Sequence, residues 1–365
     1  MRRNPGAPQP QGAGGAARSR KPYSNADNCG NARVMATWVQ ILTRSALLAS
    51  LAALVAGGCD RDDATDTEQE GAADDGEERA EGDGEEDEDD PLAANGDEAE
   101  ADDAPAITEP FLWRVESADG EDHGWLFGTM HLGVDAEASL PDVVWDSLES
   151  SDIFVAEADV GDLSSAGALL RDDGQPTLSD EIGEEAFTEL ESIVGSLQAQ
   201  GLDQMDAAAA AMAVAVKPLP MTPPMDLTLQ SRAEEHGLEV EYLEEVDFQL
   251  DLLQRYITVD SLVAYLDDYD RLSEVALEGL EAYLSGDAET LEQNLVDPAT
   301  WEHSPEGAEE AFLYERNENW VSGIEDLLSR GTPFIAVGAG HLVGERSVVE
   351  LLEDAGYELE RIAPE

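Results

Sequence analysis

Lysine is nearly missing from this 365-residue chain: there are two, against 83 aspartates and glutamates, and the formal net charge at pH 7 is −64. A field of that sign repels nucleic acid and anionic lipid, and no basic patch with interleaved aromatics exists to override it, so nucleic acid is excluded as a partner. Cysteine is equally scarce, with Cys29 and Cys59 only. Beyond residue 59 neither a disulfide nor thiol chemistry is available. Aromatic residues make up 6 % of the chain and are almost missing from its first third. No apolar run reaches membrane-spanning length. The His-Glu-x-x-His, Gly-x-Ser-x-Gly and Walker phosphate-loop strings are all absent, which removes the common zinc peptidases, serine hydrolases and P-loop enzymes. No repeat of solenoid length is visible.

What is present falls into segments of contrasting charge. Residues 1–58 carry seven Lys or Arg and one acid, whereas residues 60–105 carry about two dozen acids and two arginines. Arg44, the apolar run Ala46–Ala56 and the small residues Gly57-Gly58 form a secretory signal too short to span a bilayer. Cys59 comes directly after it, and Val55-Ala-Gly-Gly-Cys59 resembles a bacterial lipobox, which implies acylation of Cys59 and attachment to the lipid bilayer on the extracytoplasmic side. The alternative is an ordinary signal with a chance cysteine. Asp60 resembles the inner-membrane retention signal of enteric bacteria. Met35 would start a signal of normal length, so residues 1–34 read as an upstream extension and 35–58 as the signal peptide. Residues 59–106 then form the lipidated cysteine and an acidic tether. With so little apolar surface the tether is expected to stay disordered and to span ~35–40 Å or more.

Residues 107–365 hold all but one of the tryptophans and read as one domain. It is acidic too, with ten basic side chains and about 59 acids. An acid-rich, lysine-poor surface repels itself at low ionic strength and suits salty surroundings. Phe111–Glu116 and Gly124–Gly128 flank a turn at Asp119-Gly120 and read as a hairpin. Ile153–Glu157, Leu238–Leu243, Pro333–Val337 and Tyr357–Ile362 read as further strands. Helices are expected over 143–148, 203–217, 225–236, within 246–295, over 308–330 and up to Ala355. Strands alternating with helices predict an α/β fold with a mostly parallel central sheet flanked by helices.

In such sheets functional groups gather beyond the carboxyl ends of the strands, and four predicted ends deliver His131, Glu157, Glu244 and His341. Thirty-two glycines in 365 residues place one at any given position about 9 % of the time, yet three of the five histidines have glycine three places before them. His123 lies in a polar loop and is the chance instance. His131 and His341 come after apolar strands, where glycine is expected to let the backbone turn sharply and to swing each imidazole toward a shared pocket. Either histidine alone would more often be a satisfied core residue; paired in matching contexts they mark a site. Glu157 and Glu244 have solvated strand-end positions as their alternative.

The string Phe111-Leu-Trp-Arg-Val-Glu-Ser117, continued by Trp125-Leu-Phe-Gly-Thr-Met-His-Leu-Gly133, resembles the opening of the TraB/GumN family, which includes the Tiki metalloproteases. Asp226 before a helix, Leu243-Glu244 with Gln249, Glu315-Arg316-Asn317, Pro333–Gly344 and Gly356-Tyr357 resemble its later blocks, in order over about 107–362. The resemblance implies the α/β fold shared with erythromycin-esterase-like and ChaN-like proteins. It further implies a metal-dependent peptidase of the cell envelope acting on peptide or protein substrates. The ion, manganese or cobalt with zinc as an alternative, would be held by His131, His341 and Glu157. Glu157, Glu244 and Arg316 are its implied catalytic residues, with Arg316 steadying an oxyanion or a substrate carboxylate unless it is a helix arginine paired to acids. Other family members are described as regulators that shut down peptide pheromone signalling, so a non-catalytic peptide binder is the second expectation. Met225 stands where the family usually has glycine, which bears on the approach to the pocket.

Overall fold

The computed structural model describes residues 105–120, 122–159, 167–172, 174–296, 301 and 304–363. The expected extension 1–34, signal 35–58, Cys59, Asp60 and the tether as far as residue 104 lie outside the described residues.

Six strands form one sheet: β1 Leu112–Ser117, β2 His123–Thr129, β3 Ile153–Ala156, β4 Glu239–Tyr242, β5 Pro333–Gly338 and β6 Tyr357–Arg361, in the order β4-β3-β5-β2-β1-β6. The four strands β4, β3, β5 and β2 run parallel, and β1 is antiparallel to both β2 and β6. The sheet is therefore mixed and mostly parallel, an α/β fold as the alternation of strands and helices predicts. The two central strands β3 and β5 are buried along their whole length, as uninterrupted apolar runs require when helices cover both faces. Phe334 of β5 packs on Phe127 of β2 and Phe154 of β3, with ring centroids 5.7 and 6.4 Å apart. The outer strands β4 and β6 have the acid-rich sequences Glu-Val-Glu-Tyr and Tyr-Glu-Leu-Glu-Arg, which keep their open edges from pairing with other chains.

The helices are α1 Ala136–Ser139, α2 Asp142–Glu149, α3 Leu178–Val194, α4 Ser196–Leu202, α5 Ala207–Ala215, α6 Met225–His236, α7 Val246–Tyr256, α8 Val259–Asp267, α9 Tyr269–Ser285, α10 Ala288–Val296, α11 Glu315–Arg330 and α12 Val348–Ala355. Among the described residues no helix is long and apolar enough to cross a membrane. Helix α5 is apolar on every side because α3, α7, α8 and α9 all pack on it. Its N-cap is Asp206, whose side chain accepts from the Ala209 N–H. Helix α6 stops at Gly237, which takes the left-handed conformation (φ 77°) that a side chain disfavours and returns its N–H to Ala233 and Glu234.

Two features differ from the sequence reading. Helices α3 and α4 occupy a stretch to which the sequence reading gives no element, although Thr177 and Asp180 form a reciprocal capping box at the start of α3. The helix expected over 308–330 forms over that range, but its stretch Glu310–Tyr314 is π-helical before α11 continues it. Such a turn adds a residue to the helical repeat and rotates the side chains of the helix beyond it.

Candidate functional site

The parallel strands end side by side, and the residues just beyond them are Glu244 after β4, Glu157 after β3, His341 in a 3-10 turn after β5, and His131 after β2. Parallel pairing forces this common edge, because each strand must leave the sheet at the same end. The Glu244 N–H donates to the Glu157 carbonyl (2.8 Å), so the two carboxylates depart from adjacent backbones.

Three of these residues meet on Arg316 of α11. Its Nη2 donates to Glu157 Oε2 (2.6 Å) and to Glu244 Oε1 (2.5 Å), and its Nε donates to both Glu244 oxygens (3.0 and 3.2 Å). Nη1 donates to the Phe312 carbonyl (3.2 Å) and lies 3.1 Å from His341 Nε2. The guanidinium is buried and sits 4.7 Å over the Trp320 ring, which packs on His341 with centroids 4.6 Å apart. Burial works against the charge, but Glu244 and Glu157 outweigh it and hold the Arg316 pKa above its ordinary value. Glu157 also accepts from the Gly338 N–H (2.7 Å) and Gln249 Nε2 (3.2 Å), and Glu244 from Gln249 Nε2 (2.8 Å) and Trp320 Nε1 (3.1 Å). Neither carboxylate is a solvated strand end.

His131 sits in a second group. Its Nδ1 bonds to Asp226 Oδ2, and Thr129 Oγ1 donates to Asp226 Oδ1 (3.1 Å). His131 is 2 % exposed, and its Nε2 is buried with no hydrogen-bond partner among the described residues. The glycines before the histidines act differently from expectation. Neither Gly128 nor Gly338 has positive φ. A Cβ on Gly128 would lie 2.8 Å from Phe111 Cβ and 2.9 Å from Ala339 Cα, so what glycine allows there is close approach of β2 to the turn carrying His341.

The expected metal ligands fit an ion in kind. His131 offers an orphaned buried nitrogen, and Glu157 Oε1 lies 3.7 Å from His341 Nε2. Among the described residues, however, no set of three or more His, Cys, Asp or Glu side chains is gathered as an ion shell. Arg316 stands against two members of that set.

Residues 111–361, more than half of the chain, match the TraB/PrgY/gumN family. The chain belongs to that family. It is similar to the "Metalloprotease TIKI homolog" of Amphimedon queenslandica, 34 % identical over 94 residues, which are 25 % of this chain and 16 % of that protein. It is also similar to "Metalloprotease TIKI2" of Danio rerio, 39 % identical over 57 residues, 15 % of this chain and 11 % of that protein. The matches thus span less than a fifth of either relative's length. No solved structure matches the chain.

In this TraB/PrgY/gumN protein Met225 is fully buried, where its sulfur accepts from the Tyr283 hydroxyl (3.4 Å) and its N–H donates to the His131 carbonyl (3.1 Å). Its side chain packs in the core beside the segment that carries His131. Sequence reasoning assigns no role to Thr129, Asn317 or Trp320, and it does not connect Asp226 with His131. One signal is available: Arg316, Asn317 and Trp320 lie at i, i+1 and i+4, which puts the first and last on one helix face.

Proposed function

We propose that this chain is a metal-dependent peptidase, anchored in the cell envelope through acylated Cys59 and acting on peptides or proteins on the extracytoplasmic side. The observation that carries the proposal is His131 Nε2, a buried ring nitrogen without a hydrogen-bond partner among the described residues, while Asp226 holds the other ring nitrogen. A ligand histidine is supported in this way by a carboxylate behind it. His131, His341 and Glu157 would hold the ion, manganese or cobalt before zinc, and its contribution is to make a bound water acidic enough to react near neutral pH. Glu244, or an oxygen of Glu157 free of the ion, takes the water proton and returns it to the leaving amine. Arg316 Nη1 and Nη2 can only donate, so they balance negative charge developing on the attacked carbonyl oxygen. The relatives named as metalloproteases support this reading at the level of the family.

A second reading is a peptide-binding regulator without turnover. It is favoured by the way Arg316 already satisfies Glu157 and Glu244, leaving no carboxylate idle. One experiment separates the two. The purified chain is stripped with a chelator, reloaded with manganese or cobalt, and assayed for bound metal and for cleavage of a broad peptide panel. The peptidase reading expects metal binding with cleavage, both lost in His131→Ala and His341→Ala. Peptide binding without cleavage favours the regulator, and absence of metal binding defeats the metallopeptidase. For the anchor, detergent-phase partitioning and fatty-acid labelling should both disappear in Cys59→Ser.

A further inference from the structure

We propose that Asp226 and Asn317 are matched positioning residues, each holding one site imidazole as its Nδ1–H tautomer so that His131 and His341 both keep a bare Nε2. The importance of these rings rests on the peptidase reading above; the assignment of their protons rests on hydrogen-bond chemistry alone.

A neutral imidazole has one donor and one acceptor nitrogen, and the neighbours decide which is which. Behind His131 the partner is a carboxylate. Asp226 Oδ1 receives the Thr129 hydroxyl (3.1 Å), and Oδ2 faces His131 Nδ1, which must therefore carry the proton. Behind His341 the partner is an amide, whose oxygen and nitrogen are distinguished by what else they touch. Asn317 Nδ2 lies 2.9 Å from the Arg346 carbonyl, which can only accept. Asn317 Oδ1 is thus the atom 2.6 Å from His341 Nδ1, and Nδ1 is again the donor. The far side of the same ring gives the same answer independently: Arg316 Nη1, a donor only, lies 3.1 Å from His341 Nε2, which must offer a lone pair.

The carbonyl that orients Asn317 is itself held in place. Arg346 is the one described non-glycine residue at positive φ (56°), a conformation that a side chain disfavours. Its guanidinium is clamped by both oxygens of Glu310 (2.8 and 2.9 Å) and by Glu318 (2.5 and 3.0 Å), and it lies 4.4 Å over the Tyr314 ring. The π-helical turn contributes two of these partners, Glu310 and Tyr314. A surface clamp is in this way connected through one backbone carbonyl and one amide to a buried histidine. The two supports differ in charge. A carboxylate behind His131 enriches its Nε2 lone pair, whereas the neutral amide behind His341 fixes the ring without doing so.

The test is nitrogen NMR of the full chain, labelled with 15N-histidine and treated with chelator, using couplings that distinguish protonated from bare ring nitrogens. Signals are assigned by their loss in His131→Asn and His341→Asn. Both rings should show one tautomer, Nδ1–H with bare Nε2. Asp226→Ala should abolish the single pattern at His131 and leave His341 unchanged, whereas Asn317→Ala should shift the His341 Nδ1–H signal upfield by removing its acceptor, the tautomer itself being kept by Arg316 Nη1 at Nε2. Asp226→Asn, which retains an acceptor oxygen, should preserve the pattern. An Nε2–H tautomer at either ring of the unaltered chain overturns the proposal, as does an unchanged His131 pattern in Asp226→Ala or an unmoved His341 Nδ1–H signal in Asn317→Ala. Should the alanine variants fail to fold, the spectrum of the unaltered chain decides. Failure to cleave peptides by a chain with the expected spectrum counts against the peptidase reading and leaves the tautomer assignment standing.

Discussion

At the scale of single residues, the site turns on the location of one positive charge. Arg316 is buried between Glu157 and Glu244, and an uncompensated pair of buried carboxylates would repel both each other and the low-dielectric interior. Arg316→Leu keeps much of the apolar stem but removes the charge, so it should lower unfolding stability by ~3–5 kcal/mol, read from the denaturant midpoint at constant slope. A midpoint close to that of the unaltered chain would mean that the carboxylates find water or protons instead. Thr129→Val removes the hydroxyl that donates to Asp226 Oδ1 and should reduce stability by ~1–2 kcal/mol in the same measurement.

Among the elements, the strand ends were legible because apolar runs closing on a polar residue have a local signature. The reason glycine stands three places before His131 was not legible, since it depends on a neighbouring segment of the fold. Gly128→Ala would drive a Cβ into Phe111 and the backbone of Ala339, so β2 and the 3-10 turn would have to separate. A stability loss of ~1–3 kcal/mol is expected. Helix α5 offers a pH test. Burial raises the Asp206 carboxyl pKa above its usual value, ahead of the opposing bonds from Ala209 and Gln254. A raised folded-state value means stability that is complete below the unfolded pKa and lost as pH rises through the folded one. Asp206→Asn keeps the cap without the charge, so it should melt higher than the unaltered chain near neutral pH, with the gap closing below about pH 4. A gap independent of pH would assign the effect to another cause.

For the whole molecule, charge dominates. Residues 107–365 carry ten basic side chains against about 59 acids, and these charges repel one another over a distance that salt shortens, most strongly in the compact state. The melting temperature of the chain should climb from tens of millimolar salt toward molar. Each ~1 kcal/mol of relieved repulsion corresponds to about 2–4 °C in a domain of this size. A melting temperature indifferent to salt would show that the acids are spaced or paired well enough to ignore each other.

Composition and local pattern by themselves determined the acidic character, the α/β alternation, the termination of α6 at Gly237 and the ordered motifs that resemble the family. These properties reside in neighbouring residues, where periodicity and turn chemistry act. Only the tertiary structure decided that β5 lies between β3 and β2, that Asp226 stands behind His131 across 95 positions, and that Arg316 reaches Glu157 across 159. It likewise decided that Asn317 orients His341 while Arg346 orients Asn317. A buried polar group takes its partner from whatever segment burial brings beside it, and segments so far apart in sequence leave no local trace of that choice.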